Sequence, residues 1–367
     1  MAPNTDKSSK LIKLLIIIAT NIICLATAIV LLFQFVFTPN NKYTTALSLM
    51  ATDQYEEARL IFEELDGYKD SSAKVTECSY LSARALMDAG NYTDAIAVFA
   101  QLRDYKDSTD MILACETSIA DGQYEAALAL LEAQDYGKAL EAFSAMNGYK
   151  DSALMIEACY KGSFAQGLKD IKVGETFNFG LFEQDGNLDN GKEKIEWQVL
   201  AKEDSKILVV SKYALDCRKY NEEYATVVWE NCTLRQWLNK DFLEDSFESW
   251  EREMIPTVNV SADRNPKYRT YSGRATEDQV FLLSIAEAYR HFPLKSMRLC
   301  IPTKYAISKG AWVSDNGYCY WWLRSPGDTQ YDAAGVFGGV GGVHEGGNDV
   351  DNNENAVRPA MWIDLDP

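Results

Sequence analysis

Between Leu14 and Phe37 the chain carries no charged residue. Wound as a helix at 1.5 Å per residue, a run of this length crosses the ~30 Å apolar layer of a bilayer. A cleaved signal peptide has an apolar region of only about 7–15 residues and ends in a small-x-small site. Here the run is longer and ends in Phe-Gln-Phe-Val-Phe-Thr-Pro, so the pattern predicts an uncleaved signal-anchor, a single transmembrane helix over 11–37. Lys7, Lys10 and Lys13 stand at its N-terminal side, and the positive flank of a span stays in the cytoplasm. The expected topology is a polar, disordered cytoplasmic tail over 1–10, a single-pass anchor in the cell membrane, and all later residues outside the cell. Cys24 follows Asn-Ile-Ile, not the small residues of a lipoprotein cleavage site, so lipidation is not expected there.

The chain beyond the anchor is long enough for two domains. The net charge of -18 and the lack of a basic stripe argue against nucleic acid as a partner, because phosphate contacts need clustered Lys and Arg. The abundance of aromatics, with 20 Tyr and 8 Trp, favours a β-containing binding module. Eight cysteines without a CxxC, and two histidines, His291 and His344, supply neither a zinc site nor a Ser-His-Asp triad. The pairing of Cys217, Cys232, Cys300 and Cys319 is left open, with buried free thiols the simpler expectation.

Residues 43–162 contain an internal repeat. Tyr55, Ala58 and Phe62 recur as Tyr92, Ala95 and Phe99, and again as Tyr136, Ala139 and Phe143; each copy continues through Tyr-Lys-Asp-Ser to Cys78, Cys115 or Cys159. The i, i+3, i+7 spacing places each trio on one helical face. Paired helices with a period in the mid-thirties resemble tetratricopeptide repeats. The Tyr-Lys-Asp-Ser insert departs from that pattern, and its Asp and Ser are expected to cap the following helix. A spacer with a continuous buried seam is preferred to a peptide-binding groove.

From Phe164 onward the pattern changes to strands and short helices without a βαβ rhythm, an α+β class. Ile171–Gly180, Ile195–Leu200, Lys206–Ser211, Val280–Ser284 and a closing run Val357–Leu365 read as strands. Asp185–Gly191 reads as a turn, Thr233–Phe242 as a helix capped by Thr233, and the glycines of 335–347 as tight turns. Trp197, Trp237, Trp321, Trp322 and Trp362 are candidate core residues. Arg235, Arg324 and Arg358 are expected in buried bridges to Asp278, Glu287 or Asp364.

The ordered motifs Trp197-Gln-Val-Leu, Leu234-Arg-Gln-Trp237-Leu, Val280-Phe-Leu-Leu-Ser284, Trp321-Trp-Leu-Arg-Ser-Pro-Gly327 and Val357-Arg-Pro-Ala-Met-Trp-Ile363 resemble a bacterial family of domains of unknown function. That family is similar to the C-type-lectin-like fold shared by formylglycine-generating enzymes. The resemblance implies a C-type-lectin-like domain over 168–367 with its ligand surface in late loops, here Gly327–Asn355. It points to Tyr331, Asp332, His344, Glu345, Asn348, Asp349, Asp351 and Asn353 as ligand-binding residues. Asp-Val-Asp-Asn-Asn-Glu at 349–354 offers oxygen ligands to calcium but lacks a calcium-loop spacing, so a solvated loop is the simpler expectation. The implied function is binding of an extracellular glycan, cell-wall fragment or protein. The alternatives are an interaction scaffold acting through the repeats and a cysteine-dependent modifying enzyme built on Cys319 with Cys217 or Cys300.

Overall fold

The computed structural model describes residues 5–366. The chain forms two compact units, one ending at Ala126 and one beginning at Ala127.

The first unit is helical. α1 spans Thr5–Leu32, a π-turn follows over Phe33–Phe37, and α2 spans Thr38–Met50. Helix therefore begins inside the stretch expected to be a disordered tail, of which residues 1–4 lie outside the described part. Thr5–Lys10 contains no helix breaker, and extending an existing helix costs far less than starting one. The π-turn has a local cause. Pro39 has no N–H to continue the regular ladder, and the Thr38 N–H reaches back to the Phe33 carbonyl instead. One long apolar helix thus lies near the N-terminus, with none of its apolar window buried. By length and composition it fits a membrane anchor or a signal sequence.

α3 (Tyr55–Glu64), α4 (Ser71–Asp88), α5 (Tyr92–Leu102) and α6 (Ser108–Glu132) come next; α6 runs across the division between the units. Ala58, Phe62 and Cys78, then Ala95, Phe99 and Cys115, are fully buried, so the recurring residues are the seams between helices. The repeat offset grows from 37 to 44 residues because α6 has 25 residues where α4 has 18. The extra seven make two helical turns and return the seam to the same face.

The Tyr-Lys-Asp-Ser insert does something other than cap. Asp70 makes no side-chain cap bond to α4; it accepts from the Tyr43 hydroxyl at 2.5 Å, as Asp107 accepts from Tyr80 at 2.5 Å. Lys69 lies 4.4 Å over the Tyr43 ring and 5.3 Å over Tyr68. Lys106 repeats this at 4.5 Å over Tyr80 and 5.3 Å over Tyr105. Each of these two inserts is a clasp of two tyrosines, a cation over their faces and a carboxylate on one hydroxyl. To place the ammonium, Lys69 and Lys106 take φ of 55° and 50°, a left-handed backbone uncommon for a residue with a Cβ.

The second unit opens with α7 (Tyr136–Ser144) and α8 (Ser152–Leu168), which bury Ala139, Phe143 and Cys159 of the third repeat copy. The rest is rich in β structure. The early strands are β1 (Thr176–Phe182), β2 (Glu193–Glu203), β3 (Lys206–Ser211), β4 (Asp216–Cys217), β5 (Val258–Val260), β6 (Thr276–Asp278) and β7 (Val280–Phe281). The late ones are β8 (Trp321–Pro326), β9 (Asp332–Val336), β10 (Val343–Asp349), β11 (Ala356–Val357) and β12 (Ala360–Asp364). Short helices fill the connections: α9 (Thr233–Trp237), α10 (Leu243–Ser246), α11 (Ser249–Glu253), α12 (Ile285–His291), α13 (Lys295–Arg298) and α14 (Lys304–Ser308). One sheet has the order β1-β2-β3-β12-β7, a second β10-β9-β8-β11-β4, and β5 pairs with β6.

The expected closing strand is two strands in two sheets. β11 pairs with β4 and β8, and β12 pairs with β3 and β7. The break falls at Arg358-Pro359, where proline cannot donate to a ladder. Arg358 holds the crossover: its Nε donates to the Ser211 carbonyl at 2.9 Å, and its guanidinium lies 5.0 Å over Phe292 and 5.1 Å over Trp321. Among the described residues it has no carboxylate partner; Asp364 faces Lys206 instead, at 3.9 Å. The helix cap is also corrected. Cys232 accepts from the Arg235 N–H, while Thr233 accepts from the Glu222 N–H at 3.0 Å.

Trp197, Trp321 and Trp322 are fully buried, and each indole N–H donates to a carbonyl, of Phe179, Arg298 and Arg218 respectively. Trp237 and Trp362 are only half-buried; Trp237 carries the Arg218 guanidinium over its ring at 4.1 Å. Arg235 pairs with buried Asp278 at 2.6 Å. Arg324, 3% exposed, pairs with both oxygens of Glu287 and donates to the Leu282 carbonyl at 2.8 Å. Losing one partner of such a pair leaves a buried charge uncompensated, at a cost of about 3–5 kcal/mol. Arg324→Met is therefore expected to lower the stability of the second unit by that amount, read from urea unfolding followed by tryptophan fluorescence. A loss under about 1 kcal/mol would mean the pair behaves as a surface contact.

Candidate functional site

The glycine-rich stretch forms the hairpin β9–β10, not a series of isolated turns. Glycine is required where the strands crowd. A Cβ on Gly327 would stand 2.2 Å from the Gly346 carbonyl oxygen. At Gly347, φ is 83° and a Cβ would meet the Ala333 carbonyl at 2.5 Å. These close approaches set the end of the hairpin and the side chains it displays.

That end gathers Tyr331, Asp332, Asp349 and Asp351, together with Asp328 and Tyr224, which no sequence motif singles out. The Tyr224 and Tyr331 rings lie 5.0 Å apart, and both are exposed. Desolvation, then the charges of Asp349, Asp332 and Asp351, push the Tyr224 hydroxyl above its ordinary pKa. Burial, with Asp328 and Asp349 nearby, raises the Asp332 carboxyl, against a hydrogen bond from Thr329 that lowers it. Among the described residues none of these four aspartates has an ion-pair partner. Tyr224 lies about 100 residues upstream, so only its placement beside Tyr331 reveals it.

The remaining candidates have other employment. The His344 ring packs on Phe337 at 4.4 Å, its Nδ1 is buried without a partner, and burial lowers its pKa. The Glu345 carboxylate accepts from the Tyr289 hydroxyl at 3.1 Å, and its carbonyl accepts from Asn265 at 2.6 Å. Asn348 donates to Asn355 at 2.8 Å, and the Asn353 carbonyl accepts from the Cys217 thiol at 3.2 Å. These four residues brace the hairpin, whereas Tyr331, Asp332, Asp349 and Asp351 face outward as a group.

Among the described residues, the acidic groups that converge closely enough to share a cation are Glu183, Asp185 and Glu193, with ligand atoms within 4.8 Å. The 349–354 run is not such a group. Each of the three already accepts a backbone N–H at 2.7 Å, from Gly186, Asn187 and Gln184 respectively. All eight cysteines are free thiols. Cys300 and Cys319 are brought together, with the Cys319 N–H donating to the Cys300 carbonyl at 2.9 Å. Burial pushes the Cys300 thiol up, but a hydrogen bond from Cys319 and the Arg358 charge outweigh it and bring the pKa to about 7. Both thiols are buried, whereas a cysteine that attacks a substrate is partly exposed.

Residues 204–365 match a protein family described as Domain of unknown function (DUF6273). The match takes in the hairpin, the Arg324–Glu287 pair and the Arg358 crossover, and it begins after β2. No curated protein and no solved structure matches the chain.

Asp332 supplies a pH test of this geometry. Its folded pKa is raised, so its ionised form is disfavoured by folding. That penalty is full above the raised value and disappears as pH falls through the ordinary carboxylate range near about 4. Asp332→Asn is therefore expected to raise the thermal midpoint at about pH 7 and to match the parent chain below about pH 4. An equal difference at both pH values would show that the effect is not one of charge.

Proposed function

We propose that this chain is a membrane-anchored bacterial surface protein whose C-terminal domain binds an extracellular ligand at the exposed end of the β9–β10 hairpin. The N-terminal apolar helix is the anchor, with the preceding lysines cytoplasmic. The helical pairs are a tetratricopeptide-like spacer, and the C-terminal domain is C-type-lectin-like. Two five-stranded sheets, joined by short helices and with an irregular late hairpin, support that last reading.

One observation carries the ligand class: two exposed, packed tyrosines with Asp332, Asp349 and Asp351 close by and Asp328 beside Asp332, all without cationic partners among the described residues. Such a face attracts positive charge, and tyrosine rings add a cation–π surface. The ligand is a glycan, cell-wall fragment or protein segment that presents amino or guanidinium groups. Calcium fits less well, because these carboxylates do not converge on a point.

The test uses the full chain in nanodiscs against chitosan oligosaccharides, their fully acetylated counterparts and tetralysine, each with calcium and with chelator. The amine-bearing probes are expected to bind with or without calcium, more weakly as salt rises, and the acetylated ones not to bind at this face. Asp332→Asn combined with Asp349→Asn should weaken binding by about tenfold or more. Failure of the amine-bearing probes to bind, or amine-probe binding that the double variant leaves unchanged, would overturn the proposal. If only changes on the repeat helices abolished it, the scaffold alternative would take its place.

A further inference from the structure

A cavity of about 560 Å³ lies in the second unit between α8, the β1–β2 strands and the α10–α11 connection. Its size falls in the ~300–1,000 Å³ range of small-molecule sites. We infer that it is a binding site for a neutral saccharide ring, separate from the hairpin face.

The apolar wall is aromatic. Tyr160 stacks on Trp250 at 5.8 Å, and Phe164 and Phe179 meet Trp250 at 5.9 and 6.1 Å. Tyr160 is 42% exposed, so the stack forms part of the cavity mouth and is not sealed in the core. Gly180 forms part of the floor, where a Cβ would stand 2.5 Å from the Phe247 ring. Aromatic faces of this kind pack against the C–H faces of a pyranose, which is apolar above and below and polar around its edge.

The polar lining matches that edge. Ser246 is 3% exposed and lines the cavity, yet its hydroxyl has no hydrogen-bond partner. A buried hydroxyl left unpaired is costly, and a small turn of the Ser246 side chain toward the cavity would let a ligand hydroxyl supply the missing partner. Asn178 and Lys194 reach the same space from exposed positions, and neither side chain makes a hydrogen bond or ion pair among the described residues. The other charges are already matched: Lys192 pairs with Asp245 at 2.5 Å, and Glu248 accepts from the Trp250 indole at 3.1 Å. The lining therefore has no strong excess of either sign to select a phosphate or a diamine. An acyl chain or a flat hydrocarbon would use the aromatic wall alone and gain no hydrogen bond from Asn178 or Lys194. A polyhydroxylated ring with apolar faces satisfies both halves of the wall.

The experiment titrates the full chain in detergent with maltotetraose, cellotetraose and the N-acetylglucosamine tetramer, by calorimetry and tryptophan fluorescence. At least one is expected to bind and to perturb the Trp250 emission. Tyr160→Ala and Asn178→Ala, both at exposed positions, should each weaken that binding by about tenfold. Ser246→Ala should weaken it severalfold without lowering the thermal midpoint, because no internal hydrogen bond is lost. The Asp332→Asn, Asp349→Asn double variant should leave it unchanged. Absence of binding by all three saccharides would overturn the inference. So would binding indifferent to Tyr160, Asn178 and Ser246, or binding abolished by the hairpin variant.

Discussion

The pairing of Arg324 with Glu287 ties a buried strand of the C-terminal domain to the start of a helix and to a loop. Arg324 sits in the middle of β8, a strand buried at every position. Glu287 is the third residue of α12, and the same carboxylate accepts from the Ser284 N–H at 2.8 Å as half of a capping box. The guanidinium also takes the Ser261 carbonyl at 3.2 Å and approaches Asp263 at 3.6 Å, and Ser284 in turn donates to Asp263 at 2.8 Å. One buried cation thereby fixes a strand, a helix start and the loop after β5. The five donors of a guanidinium in a rigid fork make this possible, and a lysine could not serve so many acceptors in fixed directions.

Arg358 answers it from the crossover between the two sheets by different means. Among the described residues it has no carboxylate, one carbonyl and two aromatic faces, and its Nη1 is buried without a partner. Its charge lies near the Cys300 thiol and, with the hydrogen bond from Cys319, lowers that thiol's pKa. The two arginines stand in similar sequence settings, between apolar residues and a proline, and do different work. In one the proline ends a strand; in the other it moves the chain from one sheet to the next.

That difference marks where sequence reasoning succeeds and where it stops. The recurring Tyr, Ala and Phe positions and the strand Lys206–Ser211 were legible because their signal is local and periodic. The partner of Arg324 was legible as one of three acids, since only a few buried carboxylates were on offer. The Asp of Tyr-Lys-Asp-Ser was misread because the capping rule looks three residues ahead, while its actual donor stands 27 residues behind. The split at Pro359 carried a readable sign that the run of apolar residues around it obscured. In the hairpin, the family resemblance marked out a stretch as a whole, but not which side chains brace it and which face outward. The aromatic cavity was out of reach altogether. Its walls come from α8 and from elements up to 92 residues further on, joined by contacts such as Ser249 to Glu157 at 2.6 Å.

The two surfaces with ligand-like chemistry share a structural logic. Each places groups that folding disfavours, crowded aspartates in one case and an unpaired buried hydroxyl in the other, on a base held by hydrogen bonds between distant parts of the chain. The hairpin is braced by Asn348 to Asn355 and by Asn265, which donates to the carbonyls of Pro326, Gly327 and Glu345. The cavity floor is braced by Glu251, which accepts from the Gly180 N–H at 2.9 Å and the Glu248 N–H at 2.9 Å. Ser246 is one of five buried side-chain atoms without a partner among the described residues, with atoms of Ser152, His344, Asn355 and Arg358, and what sets it apart is its place beside an aromatic cavity.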